Sequence, residues 1–245
     1  MTKDPRAPHR AQARGGPLHG GRASTSPAGG LLLGARGLLF DNDGVLVDSE
    51  PSVVRSWSRW AVDSELDPDE VLAAVPGRRA ADTVALFVKP EDVDRSTALI
   101  TRYELEDVAG TLAVPGVLDL IAQLADVPWA VVTSGVRDLA TARLLAAGVP
   151  VPDVVVTAED VVLGKPHPEP YLTGAGRLGL PPGDVVVLED STSGVRAGLA
   201  AGAIVLGIGE AALATEAPAV VGDLTGARWT SGGLLLPDAA LLRRP

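Results

Sequence analysis

From Gly37 onward the chain alternates two textures of apolar and polar positions. Short apolar runs occupy residues 37–40, 129–133, 153–156, 185–188 and 204–208. Most are rich in Val or Ile and apolar at successive positions, which reads as strands buried on both faces of a parallel sheet. Helix-length segments separate them at 116–125, 136–147, 168–178 and 192–201. Gly148, Gly179 and Gly202 stand just past three of these, where a left-handed residue ends a helix. Strand and helix in turn predict an open, doubly wound α/β sheet. A last strand is expected near 219–221, and residues 229–245 receive no element.

One segment breaks the alternation. Residues 51–112 contain no strand pattern. Val53, Val54, Trp57, Trp60 and Ala61 share one helical face. Asp67 or Asp69, with Glu70 and the Val71/Leu72 pair behind it, opens a second helix. Residues 80–87 and 92–108 read as two more. The pattern predicts a small all-helical cap inserted after the first strand, hinged at 48–51 and 113–116. The α/β core then comprises 37–50 and 113–245.

Composition narrows the class. The chain has 245 residues, 46% of them apolar, with a formal net charge of −10 and no cysteine. Disulfides, thiolate zinc sites and cysteine nucleophiles are therefore excluded. No apolar run approaches the length that crosses a bilayer, and the acidic balance argues against nucleic acid as a partner. A cytoplasmic protein, monomeric or weakly self-associating, is expected. The charge is uneven. Residues 1–36 carry Lys3, Arg6, Arg10, Arg14, Arg22 and Arg36 against Asp4 alone, in a Gly-, Pro- and Ser-rich setting. That segment is expected to be a disordered basic tail outside the fold.

Ligands of open α/β sheets bind beyond the carboxyl ends of the strands. There the apolar runs end in Asp41-Asn42-Asp43-Gly44, Thr133-Ser134-Gly135 and Glu189-Asp190-Ser191, and Gly164-Lys165-Pro166 follows the third run. Any one cluster is an ordinary turn sequence. All of them at one sheet edge have a chemical logic. Asp41, Asp43, Glu189 and Asp190 are hard oxygen ligands suited to Mg²⁺. A carboxylate can serve as a nucleophile. Thr133, Ser134, backbone N–H groups and Lys165 can hold phosphate oxygens. Phosphate-monoester hydrolysis requires accelerations of up to about 10²¹, so covalent catalysis, a metal and a fixed cation suit that barrier.

These four clusters, quoted as Phe40-Asp41-Asn42-Asp43-Gly44-Val45, Val131-Val132-Thr133-Ser134-Gly135, Gly164-Lys165-Pro166 and Leu188-Glu189-Asp190-Ser191, resemble the four motifs of the haloacid dehalogenase-like (HAD) superfamily. The resemblance covers roughly residues 37–209 and lies nearest to sugar and hexitol phosphatases with a helical cap. It implies a Rossmann-like core and a Mg²⁺-dependent phosphomonoesterase acting on a small sugar or polyol phosphate. Asp41 would be the nucleophile and Asp43 the acid/base. Thr133 would hold a phosphoryl oxygen with Ser134 and Gly135 beside it, and Lys165 would neutralise charge. Asp41, Asp43 (through its carbonyl), Asp190 and Glu189 would surround the metal. The cap turn Gly77-Arg78-Arg79 falls where the family places specificity residues, with Glu50 and Trp57 as further candidates. Asn42 departs from the apolar residue usual there, and in the family's loop that side chain points away from the chemistry.

Several patterns are decoys. Gly174-Ala175-Gly176-Arg177-Leu178-Gly179 spells a dinucleotide fingerprint but sits within a helical segment rather than after a strand. The 41–50 stretch places its glycine and glutamate at the wrong positions for a calcium loop. Gly164-Lys165-Pro166 lacks the hydroxyl residue of a P-loop, and His167 between two prolines reads as a loop residue. Two other functions fit the scaffold. A phosphosugar mutase of the β-phosphoglucomutase type shares all four motifs, although Ala80 stands where such mutases grip a phosphate with Arg. A non-catalytic HAD-like binding protein is the other, against which the retention of Asp41, Asp43, Thr133, Lys165 and Asp190 argues.

Overall fold

The computed structural model describes residues 23–25 and 29–245. In chain order, its strands and helices begin with β1 (Ala23–Thr25), β2 (Leu31–Leu33), β3 (Gly37–Phe40) and β4 (Val47–Asp48). Four helices follow: α1 (Glu50–Asp63), α2 (Pro68–Ala74), α3 (Ala80–Val84) and α4 (Val93–Glu106). The chain then forms β5 (Leu112–Ala113), α5 (Val117–Ile121), β6 (Trp129–Val132), α6 (Arg137–Ala146) and β7 (Val155–Val156). It continues through α7 (Glu169–Arg177), β8 (Val185–Glu189), α8 (Thr192–Ala200), β9 (Ile204–Ile208) and β10 (Ala219–Val221). It closes with β11 (Arg228–Thr230), β12 (Gly233–Leu236) and β13 (Leu241–Arg243).

The main sheet has seven strands in the order β13-β10-β9-β8-β3-β6-β7. All pairings are parallel except β10 with β13. β3 and β8 are buried at every residue, because helices or other strands cover both faces. Alternate residues feed two cores. Leu38, Phe40, Val186 and Leu188 face one with α5, while Leu39, Val185 and Val187 face the other with Tyr171 of α7 and Val195 of α8. Gly148, Gly179 and Gly202 have φ of 71°, 68° and 78°, the left-handed helix ends expected of them.

The segment from α1 to α4 builds its own core from Trp57, Trp60, Ala61, Val71, Val84, Ile100 and Tyr103. Trp57 and Trp60 pack edge to face, 5.6 Å between ring centroids. Asp67 caps α2 by accepting the Asp69 N–H at 2.9 Å. The two crossings into this helical layer, β4 and β5, pair with each other antiparallel. No described helix is long and apolar enough to cross a membrane.

The expected boundary at residue 36 is corrected in part. Leu31–Leu33 is a strand inside the fold, paired antiparallel with β1 on one side and β12 on the other. With β11 these strands make a second sheet in the order β1-β2-β12-β11. Leu31, Leu33, Leu234 and Leu236 enter the same core as Leu38 and Phe40. The physical reason is largely non-local: besides the neighbouring β1, the ladder of these three leucines is supplied from Gly233–Leu236 at the other end of the chain. Of the 229–245 stretch, the same sheet takes residues 229–230 and 233–236, and Leu241–Arg243 joins the main sheet as β13. Residues 1–22 and 26–28 of the expected tail lie outside the described residues.

Candidate active site

β3 lies between β8 and β6, so the residues just past their carboxyl ends are neighbours in space. Asp41 leaves β3, Thr133 leaves β6, and Glu189 and Asp190 end β8. Lys165 comes from the loop between β7 and α7 and inserts among them. Its Nζ donates to Asp41 Oδ1 at 2.6 Å, to Glu189 Oε1 at 2.6 Å and to the Val132 carbonyl at 3.1 Å. The lysine side chain is 1% exposed.

Glu189 is saturated with donors. Oε1 also accepts the Tyr171 hydroxyl at 2.7 Å, and Oε2 accepts the Ser191 N–H and Oγ–H, both at 3.0 Å. The same Ser191 Oγ caps α8 by accepting the Gly194 N–H at 3.1 Å. Glu189 thus holds Lys165 in place, and with four donors on its two oxygens it is a poor candidate for direct metal ligation. Glycine is required beside it: a Cβ at Gly194 would overlap the Glu189 carboxylate. Gly44, at φ 77°, likewise leaves room for the Asp190 carboxylate.

One ligand oxygen from each of Asp41, Glu189 and Asp190 lies within 4.8 Å of the others. Three carboxylates face one lysine. Burial raises the Asp41 carboxyl; Lys165 pulls it back, while Glu189 and Asp43 push it up, to about 7. Burial, then Glu189 and Asp41, drive Asp190 well above the usual range. Burial works against Lys165 too, but Asp41 and Glu189 raise it and keep it charged. Burial would also raise Glu189, but Lys165 and its other donors hold it below the ordinary value. The cluster is short of positive charge and made of hard oxygens, so it fits a divalent cation. Asp41 and Asp190 are the side chains free to hold one.

Asp43 lies two residues beyond Asp41. Its Oδ1 accepts Ser49 Oγ–H at 2.5 Å and Arg143 Nη1 at 2.9 Å. Its Oδ2 accepts Asn42 Nδ2 at 3.3 Å. Asn42 was expected to stand clear of the chemistry; instead its buried amide leans on Asp43, because the chain doubles back here and both Leu46 and Val47 donate to the Asn42 carbonyl. Thr133 Oγ1 accepts the Gly135 N–H at 3.0 Å, which tightens the turn and leaves the hydroxyl hydrogen free to donate.

The cap turn rests on this edge. Gly77 has φ 71°, and a Cβ there would overlap the hydroxyls of Ser191 and Ser193. Ser134 Oγ donates to the Gly77 carbonyl at 3.0 Å, so that hydroxyl is engaged with the cap. The arginines expected to reach substrate are occupied otherwise. Arg79 grips Asp82 through Nε at 2.7 Å and Nη2 at 2.9 Å, and its Nη1 donates to the Val162 carbonyl at 3.0 Å. Arg78 is exposed and donates to the Ala74 carbonyl at 3.2 Å. Arg79 acts as a strap between cap and core because a neighbouring acid three residues on claims its fork. Trp57 is a buried member of the cap core, and Glu50 is exposed in the first turn of α1.

Sequence reasoning passed over Tyr171, Ser49, Glu104 and Arg143. Tyr171 and Ser49 carry no distinguishing signal, since buried hydroxyls are common. Arg143 does carry one: it interrupts the apolar stripe Leu139, Ala140, Leu144 of α6, where a charge requires a partner.

Two relatives bear on this geometry. The chain is 46% identical over 178 residues to hexitol phosphatase A of Escherichia coli K12, spanning 71% of this chain and 82% of that protein. It is 36% identical over 191 residues to glycerol-1-phosphate phosphohydrolase 1 of Saccharomyces cerevisiae, spanning 73% and 76%. A hydrolase structure from Pseudomonas syringae superposes with a TM-score of 0.65 at 23% identity, covering 71% of this chain and 84% of that one, which bears on the fold alone. With the model of the haloacid dehalogenase-like hydrolases matching residues 35–202, the chain belongs to that family.

Proposed function

We propose that this protein is a Mg²⁺-dependent phosphomonoesterase acting on a small sugar or polyol phosphate through an aspartyl-phosphate. The carrying observation is the buried Lys165, held between Asp41 and Glu189, with Asp43 two residues from Asp41 at the same edge. A binding-only site would have no use for a buried lysine fixed against one oxygen of the Asp41 carboxylate. The hexitol phosphatase and glycerol-1-phosphate phosphohydrolase relatives support this substrate class.

In this reading Asp41 Oδ2 attacks phosphorus as the ester P–O bond breaks, and the departing alkoxide takes a proton from Asp43. Water then gives a proton to Asp43 and attacks the same phosphorus, releasing inorganic phosphate and restoring Asp41. Lys165 keeps Asp41 Oδ1 occupied, so Oδ2 is the attacking atom. Thr133 Oγ–H and the Ser134 N–H would serve the phosphoryl oxygens, since the Thr133 N–H donates to the Val156 carbonyl and the Gly135 N–H to Thr133 Oγ1. Asp41, Asp190 and the Asp43 carbonyl would hold Mg²⁺, which when bound supplies the positive charge that the three carboxylates and the phosphoryl group lack. The cap turn at Gly77, strapped down by Ser134 and Arg79, would close the site from water.

The test is phosphate release from a panel of hexose, hexitol, glycerol and short-acid phosphates, with and without Mg²⁺. Metal-dependent release from a polyol or sugar phosphate, lost in Asp41→Asn while that variant melts normally, is the expected result. Isomerisation of a hexose phosphate without net release would overturn the hydrolase reading in favour of a mutase. Binding without either reaction would overturn the enzyme reading.

A further inference from the structure

Arg143 takes no part in the chemistry above, yet its side chain is 4% exposed and it sits on the buried face of α6. Its guanidinium spans two carboxylates on two different parts of the fold. Nη1 donates to Asp43 Oδ1 at 2.9 Å, in the loop after β3. Nη2 donates to Glu104 Oε1 at 3.1 Å, on cap helix α4. Glu104 is itself buried, at 6% exposure.

We propose that Arg143 is a positioning residue that aims the Asp43 carboxyl for proton transfer and, through Glu104, makes that aim depend on the seating of the cap. The proposal rests on reading Asp43 as the acid/base.

Three observations carry it. First, the contacts of Asp43 are asymmetric. Oδ1 takes the short bonds from Ser49 and Arg143, whereas Oδ2 has only the 3.3 Å contact from Asn42. The side chain is 30% exposed, so Oδ2 is the atom left to face a leaving oxygen. Second, the arrangement is not one that stability alone would favour. Arg143 Nε is buried without a partner among the described residues, and Glu104 is pushed up by burial although Arg143 counters it. A Leu at 143 would continue the stripe of Leu139 and Leu144 with no charge to desolvate. Third, the two acceptors lie on separate elements. A planar guanidinium fixes the angle between them, which a lysine cannot do. When α4 lies against α6, Glu104 turns the fork and the fork orients Asp43. If α4 moves away, Arg143 loses the partner that sets its plane.

Leaving-group dependence separates positioning from mere structure. An alkyl phosphate needs a proton on the departing oxygen, whereas 4-nitrophenolate departs without one. The variants are Arg143→Lys, which keeps the charge but not the fork, and Arg143→Met combined with Glu104→Gln, which removes the buried pair together. Each is assayed as kcat/KM, which reports steps through departure of the leaving group, on the best polyol phosphate and on 4-nitrophenyl phosphate. Thermal melts are run in parallel. The expected result is a loss of about 10²-fold on the polyol phosphate and a loss at least about tenfold smaller on the aryl ester. Equal losses on both esters, or a change in KM alone, would overturn the proposal. Asp43→Asn is the control that separates the two failures. If it shows no leaving-group selectivity, the acid/base reading has failed; if it does and the Arg143 variants do not, the positioning role has failed. For a variant that melts too low to assay, Glu104→Gln alone is read by the same ratio and by the same rule.

Discussion

Tyr171→Phe removes one oxygen and nothing else, so its effect can be worked from the geometry. The Tyr171 ring is 1% exposed and packs in the second core against α7's neighbours on the sheet, contacts that Phe preserves. Its hydroxyl donates to Glu189 Oε1 at 2.7 Å. Burial, with Glu189 and Asp41 nearby, raises the phenol well above its ordinary value, so it remains a donor throughout the working range. The substitution strips one of four donors from a buried carboxylate. Hydrogen bonds to charged groups contribute about 1.5–3 kcal/mol. In a protein of this size each kcal/mol moves Tm by about 2–4 °C, which makes the expected drop about 3–12 °C. The unpaired lone pair of Oε1 would then draw Lys165 toward Glu189 and away from Asp41 Oδ1. A fall in kcat with KM little changed is therefore also expected. Thermal unfolding and steady-state phosphate release check the two parts. A Tm within about 1 °C of wild type, with kcat unchanged, would refute the view that Glu189 is held by all four donors.

Three further outcomes are expected. Gly77→Ala places a left-handed residue and a Cβ against the hydroxyls of Ser191 and Ser193, so the cap turn should lift, raising KM by about tenfold or more with a Tm change of only a few degrees; steady-state kinetics and a melt read both. Leu33→Ala opens a cavity where β2 meets the main core and should cost about 2–4 kcal/mol in urea unfolding, with activity at low temperature retained; a cost below about 1 kcal/mol would mean that β2 adds little to that core. For Asp160, burial alone would raise the carboxyl, but hydrogen bonds from Arg177 and Thr157 bring it down to about 2. A depressed carboxylate contributes stability above its unfolded value of 3.8, and that contribution is lost as pH falls through about 2. The melting temperature of Asp160→Asn should accordingly fall less steeply than wild type over this acid range, and parallel curves would show that the bonds of Asp160 to Arg177 and Thr157 contribute nothing.

Most of the candidate site residues could be read in the chain because they stand where an apolar run stops. A parallel strand buried on both faces must be apolar throughout, so its first polar residue marks the edge where ligands collect. Asp41, Thr133 and Glu189 are all found this way, and the order β8-β3-β6 makes them neighbours. Lys165 does not end a strand; it was legible only through its motif. Arg78 and Arg79 show the limit of position as a guide. They stand in the turn before α3, where Asp82 and the carbonyls of Val162 and Ala74 accept from their guanidinium groups.

Local pattern, then, determined the alternating core, the helical cap, the left-handed glycines and the clusters at the sheet edge, because strand and helix periodicity is set by residues within a few positions of one another. Tertiary structure alone decided the rest. Leu31–Leu33 becomes a strand only when Gly233–Leu236 arrives to complete its ladder. Glu189 becomes the support of Lys165 rather than a free ligand only when Tyr171 and Ser191 fill its oxygens. Arg143 acquires a role only when α4 brings Glu104 beside it and β3 brings Asp43. In each case at least one deciding partner comes from another element of the fold, and a buried polar group or an unpaired strand has no stable state until that partner is in place.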